Sequence, residues 1–259
     1  MHDVKKDYSA DECDNVYRMF VSHNGSFGRR TLKRELEKQG YCYSERKISG
    51  ILKQLSCRAK YGRRKGKNVY TSNNTKKYLQ DNLYRQLEKE DKAKEIWSMD
   101  FTEEKIGGKK IYTCGIISVN KKIVVGYSQG EKCTTELAKD ALNTAISEYG
   151  EPYMVMTDRG SQFTSEAFYD MMNEKGIMHS MSRPHTPVDN RFIETFWKSM
   201  KVEMGQTKLL TPATYSMVVD YYIYYYNNHR PHSTLGYRAP LEVFPRHLGN
   251  TSSNNESVI

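Results

Sequence analysis

Apolar residues recur at helical spacing through the first ninety or so residues. Val16, Met19 and Phe20 make one set, Leu32 and Leu36 a second, and Ile48, Ile51, Leu52 and Leu55 a third. Gly25, Gly28 and Gly40 punctuate these sets, and Ser44 stands where the third helix needs a cap. From about Trp97 the period changes. IWSMDFT, KKIYTCGIISV and KKIVVGYS are three short β-branched segments in quick succession, each bounded by Gly, Asn or charged residues, which predicts an antiparallel meander. TTELAKDALNTAISEYG then predicts a helix with Leu137, Ala138, Ala141, Leu142 and Ala145 on one face and a stop at Gly150. YMVMTD reads as a fourth strand, SEAFYDMMNEKG as a helix and MHSMS as a short fifth strand. Thr186-Pro187-Val188-Asp189 predicts the start of a helix running to about Met204, with a cap, a first-turn Pro and an acid at the third position. A Tyr-rich helix is expected over about 212–228, and the tail TSSNNESVI reads as disordered. Strands first in a meander, then alternating with helices, give an α/β architecture: a mixed sheet covered by helices.

Charge divides the chain in the same place. Residues 1–99 hold 23 Lys and Arg against 13 Asp and Glu, whereas residues 100–259 hold 17 against 18. The whole excess of +9 therefore belongs to the N-terminal part, as expected of a polyanion-binding module joined to a near-neutral unit. Three short helices, the second of them basic (Arg29, Arg30, Lys33, Arg34), suit a helix-turn-helix module. RAKYGRRKGKN follows, with six basic residues, Arg63 and Arg64 among them, between Arg58 and Lys67. Such a run serves either as a solvated linker or as a phosphate-tracking arm. The expected organisation is a helical module over 1–57, a basic linker over 58–92, an α/β core over 93–245 and a tail over 246–259.

Other classes recede. No apolar run approaches the roughly 18 residues that span a bilayer, and the N-terminus MHDVKKDYSADEC lacks the apolar stretch of a secretory signal, so a cytoplasmic protein is expected. Cys13, Cys42, Cys57, Cys114 and Cys133 are odd in number and far apart, which fits reduced thiols better than disulfides or a zinc site.

Three acids carry the chemistry. Asp100 falls inside the first strand, where an isolated acid is unfavourable. Asp158 ends the fourth strand, and strand ends are where functional groups gather in such sheets. Glu194 stands two turns into the helix expected from Pro187. Its polar face continues through Lys198 and Lys201, while Phe192, Ile193, Phe196 and Met200 face inward. Phosphodiester cleavage and transfer need an activated nucleophile and a stabilised oxyanion, which two divalent ions about 3.5–4 Å apart provide. Mg²⁺ takes hard oxygen ligands, and three neighbouring carboxylates without cations raise one another's pKa. The plainer reading makes Asp158 a turn former and Glu194 a surface partner of Lys198.

The wording around these acids is specific. WSMDFT around Asp100, TDRGSQFTS from Thr157, DNRFIETF from Asp189 and YNNHRPHSTLGY from Tyr226 occur in that order, with 35 residues between Asp158 and Glu194. Over about residues 14–245 the chain resembles the integrase-core DDE transposases of bacterial insertion sequences, particularly the product of the second reading frame of two-frame elements. GSFGRR from Gly25 is similar to the helix-turn-helix segment that precedes that core.

The resemblance implies a ribonuclease H-like core, with Asp100, Asp158 and Glu194 holding two Mg²⁺ (or Mn²⁺) ions per active site. It further implies double-stranded DNA partners, namely terminal inverted repeats and target DNA, at least a dimer in the working complex, and a product of the upstream reading frame as fusion or partner. Lys201 matches the position of a basic residue that meets the transposon end, although chemistry alone makes it a surface Lys. Lys198, Arg29, Arg30, Arg63, Arg64 and Arg230 join it as expected DNA contacts, with phosphate contact and packing both open for Arg230. Asn190 and Gln162 either position DNA or a water, or make ordinary hydrogen bonds. Tyr222, Tyr225 and Tyr226 with Val218 and Val219 favour core packing over base stacking. Met99, Val188 and Arg191 depart from the family's usual residues, and the His/Cys zinc module of retroviral integrases is not found in this sequence. The alternatives to a transposase are a nuclease of the same fold without strand transfer and a non-catalytic DNA-binding regulator.

Overall fold

The structure, a computed structural model, describes residues 8–60, 94–182 and 190–245. The N-terminal helices are α1 (Ala10–Ser22), α2 (Arg29–Lys38) and α3 (Glu45–Gln54). Ser9 and Glu12 cap α1 reciprocally, and the Ser44 side chain accepts from the Lys47 amide at the start of α3. Val16, Leu32, Leu36, Ile48 and Ile51 are fully buried together, so the three apolar sets read from the sequence close on one small core. Of the run expected to link this module to the core, residues 61–93 lie outside the described residues, as do Arg63 and Arg64.

The sheet consists of β1 (Ile96–Ile106), β2 (Lys109–Ser118), β3 (Val124–Gly130), β4 (Met154–Thr157) and β5 (Met178–Met181), in the order β3-β2-β1-β4-β5. The first three strands pair antiparallel, while β4 lies parallel to both β1 and β5. β1 is longer than the expected IWSMDFT segment. It continues through polar Glu103–Lys105 because Gly107 and Gly108, both at positive φ, close a two-residue hairpin directly onto β2. A strand this polar in its second half shows no apolar signature, yet the turn carries the pairing onward.

Helices α4 (Thr135–Tyr149), α5 (Glu166–Glu174), α6 (Arg191–Met204), α7 (Pro212–Asn228) and α8 (Pro240–Val243) complete the described core. Strand alternation sorts them. Trp97, Met99, Cys114 and Ile116 face the layer of α4 and α5 with Ala138, Ala141, Leu142 and Phe168. Ile106, Ile111, Ile117 and Val124 face α6 and α7 with Phe196, Trp197, Tyr215, Tyr222 and Tyr226. Tyr215, Tyr222 and Tyr226 are buried, so packing claims that side of the Tyr-rich helix, while Tyr221 and Tyr224 stay exposed. Buried Asn227 bonds both backbone groups of Val124 at 2.9 Å each, which ties α7 to β3.

β3 and α4 pack closely. A Cβ on Gly126 would sit 2.7 Å from the Ala141 carbonyl oxygen and 2.7 Å from the Ala145 Cβ. Gly126→Ala therefore pushes α4 off the sheet and lowers stability by about 1–3 kcal/mol. Urea unfolding of the variant measures this, and an unchanged midpoint would show the helix free to shift.

Candidate active site

Asp100 reaches its place through the strand register. Ser98, Asp100 and Thr102 lie on the face of β1 turned to α6 and α7, opposite Ile117, Gly115 and Thr113 of β2. β4 runs parallel beside β1 with Ser98 paired to Met156. Two residues further along each strand bring Asp100 level with Asp158, just past the end of β4. Asp158 is held by its own loop: the Gly160 amide donates to Asp158 Oδ1 at 2.8 Å, and the Thr157 hydroxyl donates to the Asp158 carbonyl at 2.8 Å. The Gln162 side chain lies back over Gly160, close to where a Cβ there would be.

The third acid arrives on α6. The expected opening Thr186–Asp189 lies outside the described residues, and the described helix runs from Arg191 after Asn190, with Glu194 in its first turn. Asn190 is 4% exposed. The Ser98 hydroxyl donates to its Oδ1 at 2.5 Å, and its Nδ2 donates to the Met99 carbonyl at 3.5 Å. This residue is the peg that sets α6 against β1 beside Asp100, a link of 92 positions in sequence that no local pattern announces. With Asn190 seated, Ile193, Phe196, Trp197 and Met200 turn inward and Glu194 stays at the exposed mouth.

Asp100 feels the other two acids. Burial, and then the charges of Asp158 and Glu194, push the Asp100 carboxyl up to about 7 from an ordinary 3.8. Burial also raises Glu194. The Cys133 thiol is raised by burial and then by the charges of Asp158, Asp100 and Glu103. Among the described residues, no group of three or more His, Cys, Asp or Glu closes to the spacing of a metal cage. The arrangement is three interacting carboxylates on converging elements. Its donors are hard oxygens, the kind Mg²⁺ and Mn²⁺ take, and a cation would offset the repulsion that raises Asp100.

The residues expected to meet DNA fall into three situations. Lys198 is exposed on α6, and Lys201 is half exposed, with Nζ 3.0 Å from Glu104 Oε1. Arg29 and Arg30 lie at the start of α2, exposed, 3.1 and 3.5 Å from the Glu45 carboxylate. Arg230 is different. Its side chain is 15% exposed and its guanidinium grips Glu203 at the end of α6 with three bonds of 2.8–3.0 Å. Of the two roles left open for Arg230, packing is the one its surroundings favour. Glu203 also accepts from the Tyr222 hydroxyl at 3.0 Å, so the motif that ends α7 is bound to the helix carrying Glu194.

His232 of the same motif sits edge-on to the Tyr226 ring, 4.7 Å between centroids, and its Nε2 is buried without a partner among the described residues. Burial, then the charges of Arg230 and Lys122, push it down to about 3. The folded chain therefore keeps His232 neutral while the unfolded chain protonates it below about pH 6.5. Stability is full above that value and falls as pH drops toward 3, by at most about 1.4 kcal/mol per pH unit. Urea midpoints between pH 7 and pH 5 follow this slope, and His232→Gln flattens it. An identical slope in the variant would assign the pH dependence to other groups.

Sequence reasoning passed over Ser98, Gly115, Trp197 and Glu203, whose importance comes from partners far along the chain. Only the spacing of Trp197, three residues after Glu194, offered a hint.

With the geometry in place, comparison with known proteins is direct. Two family models, each described as an integrase core domain, match residues 90–187 and 175–240, which together take in the sheet and all helices from α4 to α7. The chain is 27% identical over 233 residues to the transposase for insertion sequence element IS904 of Lactococcus lactis, covering 88% of this chain and 91% of that protein. It is 28% identical over 241 residues to the transposase InsF for insertion sequence IS3A of Escherichia coli, covering 91% of this chain and 83% of that one. Among solved structures, a chain of the simian T-cell lymphotropic virus intasome, in complex with PP2A regulatory subunit B56 gamma, matches with a TM-score of 0.51 at 13% identity. The match covers 94% of this chain and 78% of that one, a likeness of fold. Among the described residues, no helix is long and apolar enough to cross a membrane. The core is ribonuclease H-like, and the chain belongs to the integrase-core transposases of bacterial insertion sequences.

Proposed function

We propose that this chain cleaves double-stranded DNA at the ends of an insertion sequence and joins the released 3′ ends to target DNA. The observation that carries the proposal is the convergence of Asp100, Asp158 and Glu194 from β1, the end of β4 and the first turn of α6, strongly enough that two of them act on the charge of the third. Asp100, Asp158 and Glu194 would hold two Mg²⁺ or Mn²⁺ ions, which when bound activate the attacking oxygen and neutralise the leaving oxygen. Asp100 and Asp158 are half-buried, whereas Glu194 is exposed at the mouth where a phosphate approaches. Lys198 and Lys201 continue that polar face along α6 and suit the DNA backbone. In the first step a water oxygen bonds to phosphorus and the bond to the bridging 3′ oxygen breaks, leaving a 3′-hydroxyl. In the second, that 3′ oxygen bonds to a target phosphorus and displaces the target's own 3′ oxygen. Neither step needs a covalent link to protein, so no Ser or Tyr nucleophile is assigned.

The basic N-terminal helices, with Arg29 and Arg30 at the head of α2, grip DNA through phosphate neutralisation. Joining two ends requires at least two copies in the working complex, a reading in keeping with the intasome context of the solved relative. A product of the upstream reading frame supplies further recognition of the terminal repeats.

The test uses a pre-nicked duplex carrying the element's terminal repeat, a plasmid target and Mg²⁺ or Mn²⁺, with joined product as the readout. Joining by the wild type that vanishes in Glu194→Gln supports the proposal. Nicking without joining would make the chain a nuclease. Tight binding to the repeat with no chemistry, unchanged when the upstream product is added, would make it a regulator.

A further inference from the structure

Trp197 joins α6 to Asp100 through a feature of β2. Asp100 pairs directly with Gly115, so both lie on the sheet face that α6 covers. A Cβ on Gly115 would come within 2.5 Å of Trp197 Cη2 and 2.7 Å of Cζ2. The indole therefore rests on bare backbone beside Asp100, in a space that any side chain larger than hydrogen would fill. Trp197 is 5% exposed and braced by Phe196, 4.9 Å between ring centroids. It lies three residues past Glu194, so one helical turn carries both an acid and an indole toward the same strand.

Among the described residues the indole N–H makes no other hydrogen bond. It is buried, and among the described residues no acceptor meets it with full hydrogen-bond geometry. An unpaired buried N–H is costly, and indole nitrogen can only donate. Asp100 is the acceptor at hand, since it pairs across the strands with the Gly115 on which the indole rests.

We propose that Trp197 is the positioning residue of Asp100: its indole N–H, seated over Gly115, engages one carboxylate oxygen and fixes the rotation of the group. The proposal rests on the three-acid reading of the site. A donor on one oxygen leaves the other to face Asp158, and the same helix turn that delivers Glu194 sets this orientation. Any shift of α6 then moves two of the three acids together.

The chain has two tryptophans, and the other indole, of Trp97, donates to Glu95 Oε1 at 3.0 Å. A ¹H–¹⁵N spectrum of the full chain without DNA or metal therefore shows two indole resonances, of which Trp197→Phe removes one and assigns it. In Asp100→Asn, which keeps the shape but weakens the acceptor, the Trp197 resonance moves upfield while that of Trp97 stays within a line width. In the joining assay Trp197→Phe, which keeps the ring and the fold, lowers the rate at saturating DNA roughly 10–100-fold, as loss of a ligand-orienting hydrogen bond does, with the half-saturating DNA concentration unchanged. Two unmoved indole resonances in Asp100→Asn would overturn the contact, and a Trp197→Phe protein joining DNA at the wild-type rate would overturn the positioning role. The spectrum is read without catalysis, so it decides the contact even where the transposase reading itself fails.

Discussion

Asp100→Asn loses DNA joining and at the same time gains stability in the absence of divalent ions. The loss follows from the place of Asp100 among the three acids, where it is half-buried and acted on by the charges of the other two. On the proposed function Asp100 is a metal ligand, and removal of such a ligand costs more than the roughly 100-fold that follows loss of a ligand's hydrogen-bonding partner. The gain follows from the same geometry. A carboxylate buried beside Asp158 and Glu194 is held charged at neutral pH only at the expense of the folded state, so its proton affinity rises to a value near 7. Asparagine has the same shape and no charge. Each tenfold change in proton affinity corresponds to about 1.4 kcal/mol, so the variant unfolds on the order of a few kcal/mol later than the wild type at pH 8 in EDTA. Added Mg²⁺ stabilises the wild type through binding to the folded state and leaves the variant unmoved. Urea unfolding with and without Mg²⁺ reads all of this. A variant less stable than the wild type in EDTA would mean that Asp100 is an anchoring residue of the sheet rather than a strained functional acid.

Arg230→Ala has the second large effect, on folding rather than chemistry. Glu203 is 6% exposed at its side chain and Arg230 15%, and the two meet through three hydrogen bonds with Tyr222 closing the group. Truncating Arg230 leaves a buried carboxylate without its partner, a change that costs about 3–5 kcal/mol. Arg230→Lys keeps the charge but loses the planar fork, so it recovers only part of the loss. Lys201→Ala, whose ion pair with Glu104 is half exposed, changes stability by less than about 1 kcal/mol. The comparison separates the two roles left open for Arg230 by its sequence. An Arg230→Ala protein with the wild-type urea midpoint and weakened DNA binding would restore it to the phosphate-contacting set.

Local pattern carried most of the architecture. The β-branched runs, the Ala-rich face of α4 and the apolar sets of α1 to α3 all specify elements that the structure contains, because each is a periodicity written within a dozen residues. The acids were legible through the words around them, WSMDFT, TDRGS and DNRFIETF. Their convergence was not. It depends on a parallel register between β1 and β4, separated by a hairpin, a third strand and a helix, and on Asn190 reaching back to Ser98. Arg230 looked like a free cation because its partner lies 27 residues away on another helix. Trp197 was passed over, since nothing in its own neighbourhood reveals that Gly115 clears space for it.

The measurement that bears most directly on the three-acid site is anomalous scattering from Mn²⁺ in crystals of this chain bound to a pre-nicked terminal-repeat duplex. Manganese density bounded by the carboxylates of Asp100, Asp158 and Glu194 is the predicted result. Manganese bound elsewhere, or none at these acids in crystals whose dissolved contents still join DNA, would contradict it.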